Sequence, residues 1–159
     1  MVGAFTFTAL PARVLFGSGR IADLPQELEG LGCRRLLLLS TPGQRRMAEQ
    51  VAAPLGDAVG AVFAEAAMHT PVQVTERAMA VMAEHGCDGV LAVGGGSTIG
   101  LGKAIALRTD LPQIVVPTTY AGSEVTAILG ETRDGGEGDV PGHLIDLAQQ
   151  LFGLHQPAG

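Results

Sequence analysis

The run RRLLLLS at residues 34–40 constrains the fold of this chain more than any other stretch. Four leucines in a row lack the alternation of a strand with one wet face, and two arginines and a serine bound them. A short continuous apolar run of this kind is what a strand buried on both faces requires. Helices must then cover it, and the flanking sequence supplies helical patterns. PGQRRMAEQVAAPLG reads as a helix stopped near Pro54 and Gly56, and AVGAVFAEA as the next strand, weakened by Gly60 inside it. Upstream, FTFTAL and RVLFG read as two short strands joined by a turn at Pro11. Residues 20–31 read as a helix whose regularity Pro25 limits.

The same alternation continues downstream. Thr70, Pro71, Val72 and Gln73 fit a capping box, with Thr70 as the cap, Pro71 at the first helical position and Gln73 reaching back. Val74, Ala78, Val81 and Met82 then share one apolar face, and Gly86 stands where a helix ends. GVLAV reads as a strand, residues 97–108 as a helix and QIVVP as a strand. Strands alternating with helices imply right-handed βαβ units, hence an α/β fold: an open parallel sheet with helices on both faces, behind an N-terminal β-hairpin. After Arg133 the character changes. DGGEGDVPG reads as turn or linker and HLIDLAQQLFGLH as one short amphipathic helix. The expected division is an α/β domain over 1–135 and an atypical tail over 136–159.

Composition narrows the partners. Hydrophobic residues at 47% and charged residues at 16% leave disorder out. A net charge of −6 and the absence of any Lys/Arg run argue against a nucleic-acid partner. An anionic ligand stays open, because backbone N–H groups bind phosphate without a basic surface. No apolar run approaches the roughly 20 residues that span a membrane, and no signal-peptide pattern opens the chain. The expectation is a cytoplasmic protein. Cys33 and Cys87 each follow a glycine and precede an apolar run, and read as small thiols at the core edge.

The candidate chemistry lies in LAVGGGSTIGLGKAIAL, residues 91–107. The loop follows a strand and opens a helix, where N–H groups and the helix dipole favour phosphate. Gly94, Gly95 and Gly96 remove the Cβ atoms that block close approach. A Walker A loop fails, since Ser97 stands where it needs glycine and Ala104 follows Lys103. The G-x-G-x-x-G fingerprint fails at Ile99, and no G-x-S-x-G surrounds Ser97 or Ser123. One glycine there would be read as a tight turn; three plus Ser97 read as a phosphate cradle. Lys103, almost two helical turns beyond Ser97, fits a solvated helix lysine equally well. A second polar loop, VPTTYAGSEVT at 116–126, also follows a strand and offers Thr118, Thr119, Tyr120, Ser123 and Glu124. Ligands of open parallel sheets bind at the carboxyl ends of the strands, so the two loops make one site.

GGGSTIGLGKAIAL followed by PQIVVPTTYAGSE resembles the N-terminal domain of the iron-containing alcohol dehydrogenase superfamily. FGSGR, HTPV at 69–72 and GETRDG at 130–135 bring it nearest to the maleylacetate reductase branch. The resemblance covers about residues 5–135 and implies a Rossmann-like domain that binds NAD or NADP. It implies pyrophosphate held by Gly94, Gly95, Gly96 and Ser97, with Thr98 following in the same turn. Thr118 and Thr119 are implied near the ribose and nicotinamide, with Tyr120, Ser123 and Lys103 beside them. Many members carry Asp where this chain has Gly100; glycine is typical of the maleylacetate branch. The second strand often ends in an acid for the adenosine ribose. Here it reads Ser40, Thr41, Pro42, so Thr41 takes that place and nothing evident excludes a 2′-phosphate.

Superfamily members continue into a helical domain with the catalytic histidines and any metal ligands. This chain stops at 159, and its tail does not resemble that continuation. His143 and His155 form no H-x-x-x-H pair and read as ordinary tail positions. No catalytic residue and no metal ligand is therefore assigned, and the chain reads as the cofactor-binding half of a truncated protein. The function implied is NAD(P)H-dependent reduction of maleylacetate to 3-oxoadipate, with a small dicarboxylate as substrate once a second domain completes the site, in a homo-oligomer. Two alternatives stand beside it. One is an inactive nucleotide-binding or interaction fragment. The other is a polyol dehydrogenase or dehydroquinate synthase-like enzyme, against which TTYAGSE weighs.

Overall fold

The structure is a computed structural model and describes residues 5–9, 12–126, 128–133 and 145–146. Strands β1 (Phe5–Ala9) and β2 (Ala12–Phe16) pair antiparallel as the expected hairpin. Then β3 (Leu36–Leu39), β4 (Val59–Phe63), β5 (Gly89–Gly94) and β6 (Gln113–Pro117) form one sheet in the order β4-β3-β5-β6. Every pair in it is parallel.

The leucine run is buried at all four positions. Because side chains alternate across a strand, it feeds two cores. Leu36 and Leu38 join Leu91 and Val93 on one face, under α1 (Leu24–Leu31) and α2 (Arg45–Ala52). Leu37 and Leu39 join Val90 and Ala92 on the other, under α3 (Val72–Glu84) and α4 (Gly96–Thr109). The second core takes Val74, Ala78 and Met82 from α3, with Val81 packed at its border. This is the open parallel sheet with helices on both faces that the sequence implies.

Several boundaries move for local reasons. The helix expected over 20–31 opens as a 3-10 turn, Arg20–Asp23, before α1 begins with Pro25 in its first turn, where no N–H is required. The helix expected over 42–56 keeps only α2 as regular helix, between 3-10 turns at Pro42–Gln44 and Ala53–Ala58. Gly56 breaks the second turn at φ 52.

The capping box at 70–73 does not form. Pro71, at extended ψ 136, is the N-cap, and no side chain caps α3. Thr70 sits at φ 42, with its N–H on the Ala67 carbonyl and its carbonyl taking the Thr132 N–H. Its backbone is thus engaged in a bridge at Pro71 and Thr132, and its side chain is buried away from the helix end. Gly86, at φ 60 just past α3, does occupy the predicted helix stop. Cys33 and Cys87 are free, and burial pushes both thiols up.

Strand β7 (Ile128–Leu129) pairs antiparallel with β8 (Ile145–Asp146), so these two tail residues extend a strand where a helix was expected. The turn at Pro11, the linker after Arg133, and His143 and His155 lie outside the described residues. Among those described, no helix is long and apolar enough to cross a membrane.

Candidate functional site

The strand order reverses between β3 and β5, and at such a switch point the loops leaving the carboxyl ends of neighbouring strands diverge and open a crevice. The glycine loop lies on its rim. Gly94 ends β5, Gly95 is the N-cap of α4, and Gly96 is its first residue. The N–H groups of Thr98 and Ile99 both turn back to the Gly95 carbonyl, at 3.0 and 3.1 Å. The N–H groups of Gly96 and Ser97 precede the first intrahelical bond and stand at the positive end of the helix dipole.

The three glycines are not equivalent. A Cβ on Gly94 would overlap the Thr98 side chain, and one on Gly95 would come 3.1 Å from Thr119 Oγ1 and Cγ2. One on Gly96 would meet nothing nearer than the Ala121 Cβ at 3.9 Å. Internal packing therefore accounts for Gly94 and partly for Gly95, but not for Gly96. Gly96 and Ser97 instead face a cleft of about 230 Å³, whose wall also includes His69, Thr70, Gly100 and Ser123. Thr98 is placed differently: it is fully buried beneath the loop, and its Oγ1 has no hydrogen-bond partner.

Across the switch point, the loops after β3 and β6 are stitched together. Thr41 Oγ1 donates to Gln44 Oε1 at 3.4 Å, and Gln44 Nε2 donates to Thr118 Oγ1 at 3.2 Å. The Thr118 N–H is bound to the Gly94 carbonyl at 3.0 Å. Thr41, Thr118 and Thr119 thus gather around the glycine loop. Tyr120 does not join them: it is fully exposed.

Lys103 is no solvated helix lysine. It is 4% exposed, and Nζ donates to Ser123 Oγ and Thr126 Oγ1, each at 3.2 Å. Burial pushes its ammonium below the usual lysine range, partly countered by the charge of Glu124. Lys103 braces the 3-10 turn Ser123–Val125 against α4, and so holds Ser123 at the cleft wall.

The opposite wall is a strained strap. His69 and Thr70 are consecutive non-glycine residues with left-handed φ, 60 and 42. Such residues persist only where the surroundings fix them. Here Thr132 Oγ1 donates to the His69 carbonyl, and Val72 N–H to the Thr132 carbonyl. Next to Thr132, buried Glu131 takes Arg108 at 2.9 Å and Thr75 Oγ1 at 3.2 Å. The strap presses the Thr70 hydroxyl against α4, 2.6 Å from where a Gly100 Cβ would sit. Gly100 is therefore glycine for packing. His69, Thr70 and Gln44 were missed by the sequence reading as site residues. HTPV is the one signal at His69 and Thr70, and in the sequence it reads as a helix cap.

Among the described residues no three His, Cys, Asp or Glu side chains come together to hold a metal ion. The cleft suits a phosphodiester: N–H donors at a helix start, a glycine with empty space before it, and Thr70, Ser97 and Ser123 on its wall.

Comparison with known proteins shows the family to which this fold belongs. The family model described as iron-containing alcohol dehydrogenase matches residues 11–141. A maleylacetate reductase from Rhizobium sp. (strain MTP-10005) is 57% identical over 131 residues, 82% of this chain and 37% of that protein. The crystal structure of a maleylacetate reductase from Agrobacterium tumefaciens superposes with a TM-score of 0.76 at 53% identity, covering 89% of this chain and 40% of the other. A sulfoacetaldehyde reductase from Bifidobacterium kashiwanohense, solved in complex with NAD+, superposes with a TM-score of 0.68 at 25% identity, covering 74% and 37%. The chain thus spans well under half the length of the relatives it matches.

Proposed function

Since the chain belongs to the iron-containing alcohol dehydrogenase family, we propose that it is the dinucleotide-binding part of an NAD(P)H-dependent reductase acting on maleylacetate. Residues 1–135 form the binding unit. Gly96 and Ser97 give backbone N–H groups to the pyrophosphate, with Gly94 and Gly95 shaping the approach. Thr41, Thr118 and Thr119 contact the sugars, and Ser123, braced by Lys103, faces the nicotinamide side. Thr98 lies buried beneath the loop and Tyr120 is exposed, so neither reaches the cleft wall. NADH and NADPH are both accepted, since the end of β3 carries Ser40 and Thr41 rather than an acid. The bound dinucleotide supplies the hydride, while this chain holds and orients it. We propose no metal site on the described residues and no catalytic acid or base among them. A small dicarboxylate binds once the rest of the site is supplied, and the complete protein is a homo-oligomer.

The observation that carries this reading is Gly96, a glycine that internal packing does not demand, at a helix start facing a cleft. The match of the chain to relatives named maleylacetate reductase supports the substrate class. Fluorescence titration of the 159-residue chain with NADH tests it. Saturable binding, with no NADH oxidation on adding maleylacetate, is the expected result. Absence of binding at millimolar NADH overturns the cofactor assignment. Turnover by the chain alone overturns the assignment of catalytic groups elsewhere.

A further inference from the structure

Gln44 occupies an unusual place. It follows β3 in the turn Pro42–Gln44, yet its amide reaches across to Thr118 after β6. Between those two strands lies β5, whose last residue is Gly94. The Gln44 Oε1 is 3.2 Å from where a Gly94 Cβ would sit, so the amide lies over the root of the glycine loop. Its bond from Thr41, at 3.4 Å, is long, and its bond to Thr118, at 3.2 Å, is at the upper end of the ordinary range. Such bonds are readily exchanged for those of a ligand.

The Gln44 amide therefore stands between the end of β3 and the Gly94 root of the glycine loop. We propose that Gln44 sets the cofactor preference of the site, contacting the adenosine side of the dinucleotide through its neutral amide. The proposal rests on the dinucleotide reading of the cleft. An amide offers an oxygen to a ribose hydroxyl and N–H donors to a 2′-phosphate, so it serves NADH and NADPH alike. No acid occurs between Ser40 and Arg46 to oppose the phosphate, and Arg45 beside Gln44 is paired with Glu49 at 2.8 Å. A carboxylate in place of the amide keeps the acceptor for a 2′-hydroxyl and repels a 2′-phosphate.

The test is the ratio of NADPH to NADH dissociation constants, measured by fluorescence on the 159-residue chain and on Gln44→Glu and Gln44→Lys. Gln44→Glu is expected to weaken NADPH at least about tenfold relative to NADH. Gln44→Lys is expected to move the ratio the other way, and it supplies the readout if the first variant fails to fold. A residue that only stitches the loops together would change both constants equally. An unchanged ratio in both variants, with the parent binding normally, overturns this proposal alone. A parent chain that binds neither dinucleotide overturns it together with the dinucleotide reading.

Discussion

Replacing Gly96 by alanine separates the needs of the fold from those of the ligand. The new methyl group meets only Ala121 at 3.9 Å, an ordinary contact. A glycine-to-alanine change at a compatible position stabilises by about 0.4–1 kcal/mol, through the unfolded chain. The variant should therefore melt at the parent temperature or a few degrees above it. Binding should move the opposite way. A phosphate oxygen sits about 2.9 Å from a donating nitrogen, and the methyl group stands in the space through which it approaches Gly96 and Ser97. Hydrogen bonds to a charged group contribute about 1.5–3 kcal/mol each, so loss of one weakens NADH about ten- to a hundredfold. The matched control is Gly94→Ala, where the added carbon overlaps Thr98 and overpacking costs about 1–3 kcal/mol. Thermal melting and calorimetric titration with NADH read both effects. Unchanged NADH affinity in a folded Gly96→Ala chain would refute the claim that this glycine serves a ligand.

Gly100→Ala should cost about 1–3 kcal/mol by urea denaturation, and less in a Thr70→Gly background, because the hydroxyl that blocks the methyl is then gone; equal costs in both backgrounds would contradict this. Glu131→Ala should cost about 1–3 kcal/mol by the same assay, since it strips the partner from Arg108 and Thr75 around a nearly buried carboxylate; a neutral change would show that the strap is held otherwise. Lys103 is the chain's sole lysine, and its folded pKa is depressed by burial. The unfolded chain then holds the proton more tightly, so this residue contributes a rise in stability between its lowered pKa and the unfolded value of 10.5. The stability of Lys103→Met relative to the parent should accordingly fall over that window, as followed by urea denaturation from pH 7 to 10.5. A constant difference would mean that Lys103 is not desolvated.

The frame of the molecule was legible in four leucines and two further apolar runs, because a strand buried on both faces reads as a continuous apolar run bounded by turn residues. The glycine loop was legible too, as a break between strand and helix that only small residues fill. Three features were hidden for a common reason: they depend on contacts between distant segments. Thr70 looks like a helix cap until Thr132, far along the chain, bridges the backbone beside it. Lys103 looks like a surface lysine until Ser123 and Thr126 fold over it. Gln44 carries no local pattern, and its meaning comes from Thr118 across the sheet. Helix ends also shifted, where Pro25, Pro54 and Gly56 turn single predicted helices into helix plus 3-10 turn.

Backbone amide spectra of the isotope-labelled chain, recorded while NADH is added, test the central claim most directly. The largest shifts are expected at the N–H groups of Gly96 and Ser97, with smaller ones at Thr41, Gln44, Thr118 and Ser123, all saturating with one dissociation constant. Shifts centred elsewhere on the sheet, or none at the start of α4 when the ligand is saturating, would contradict it.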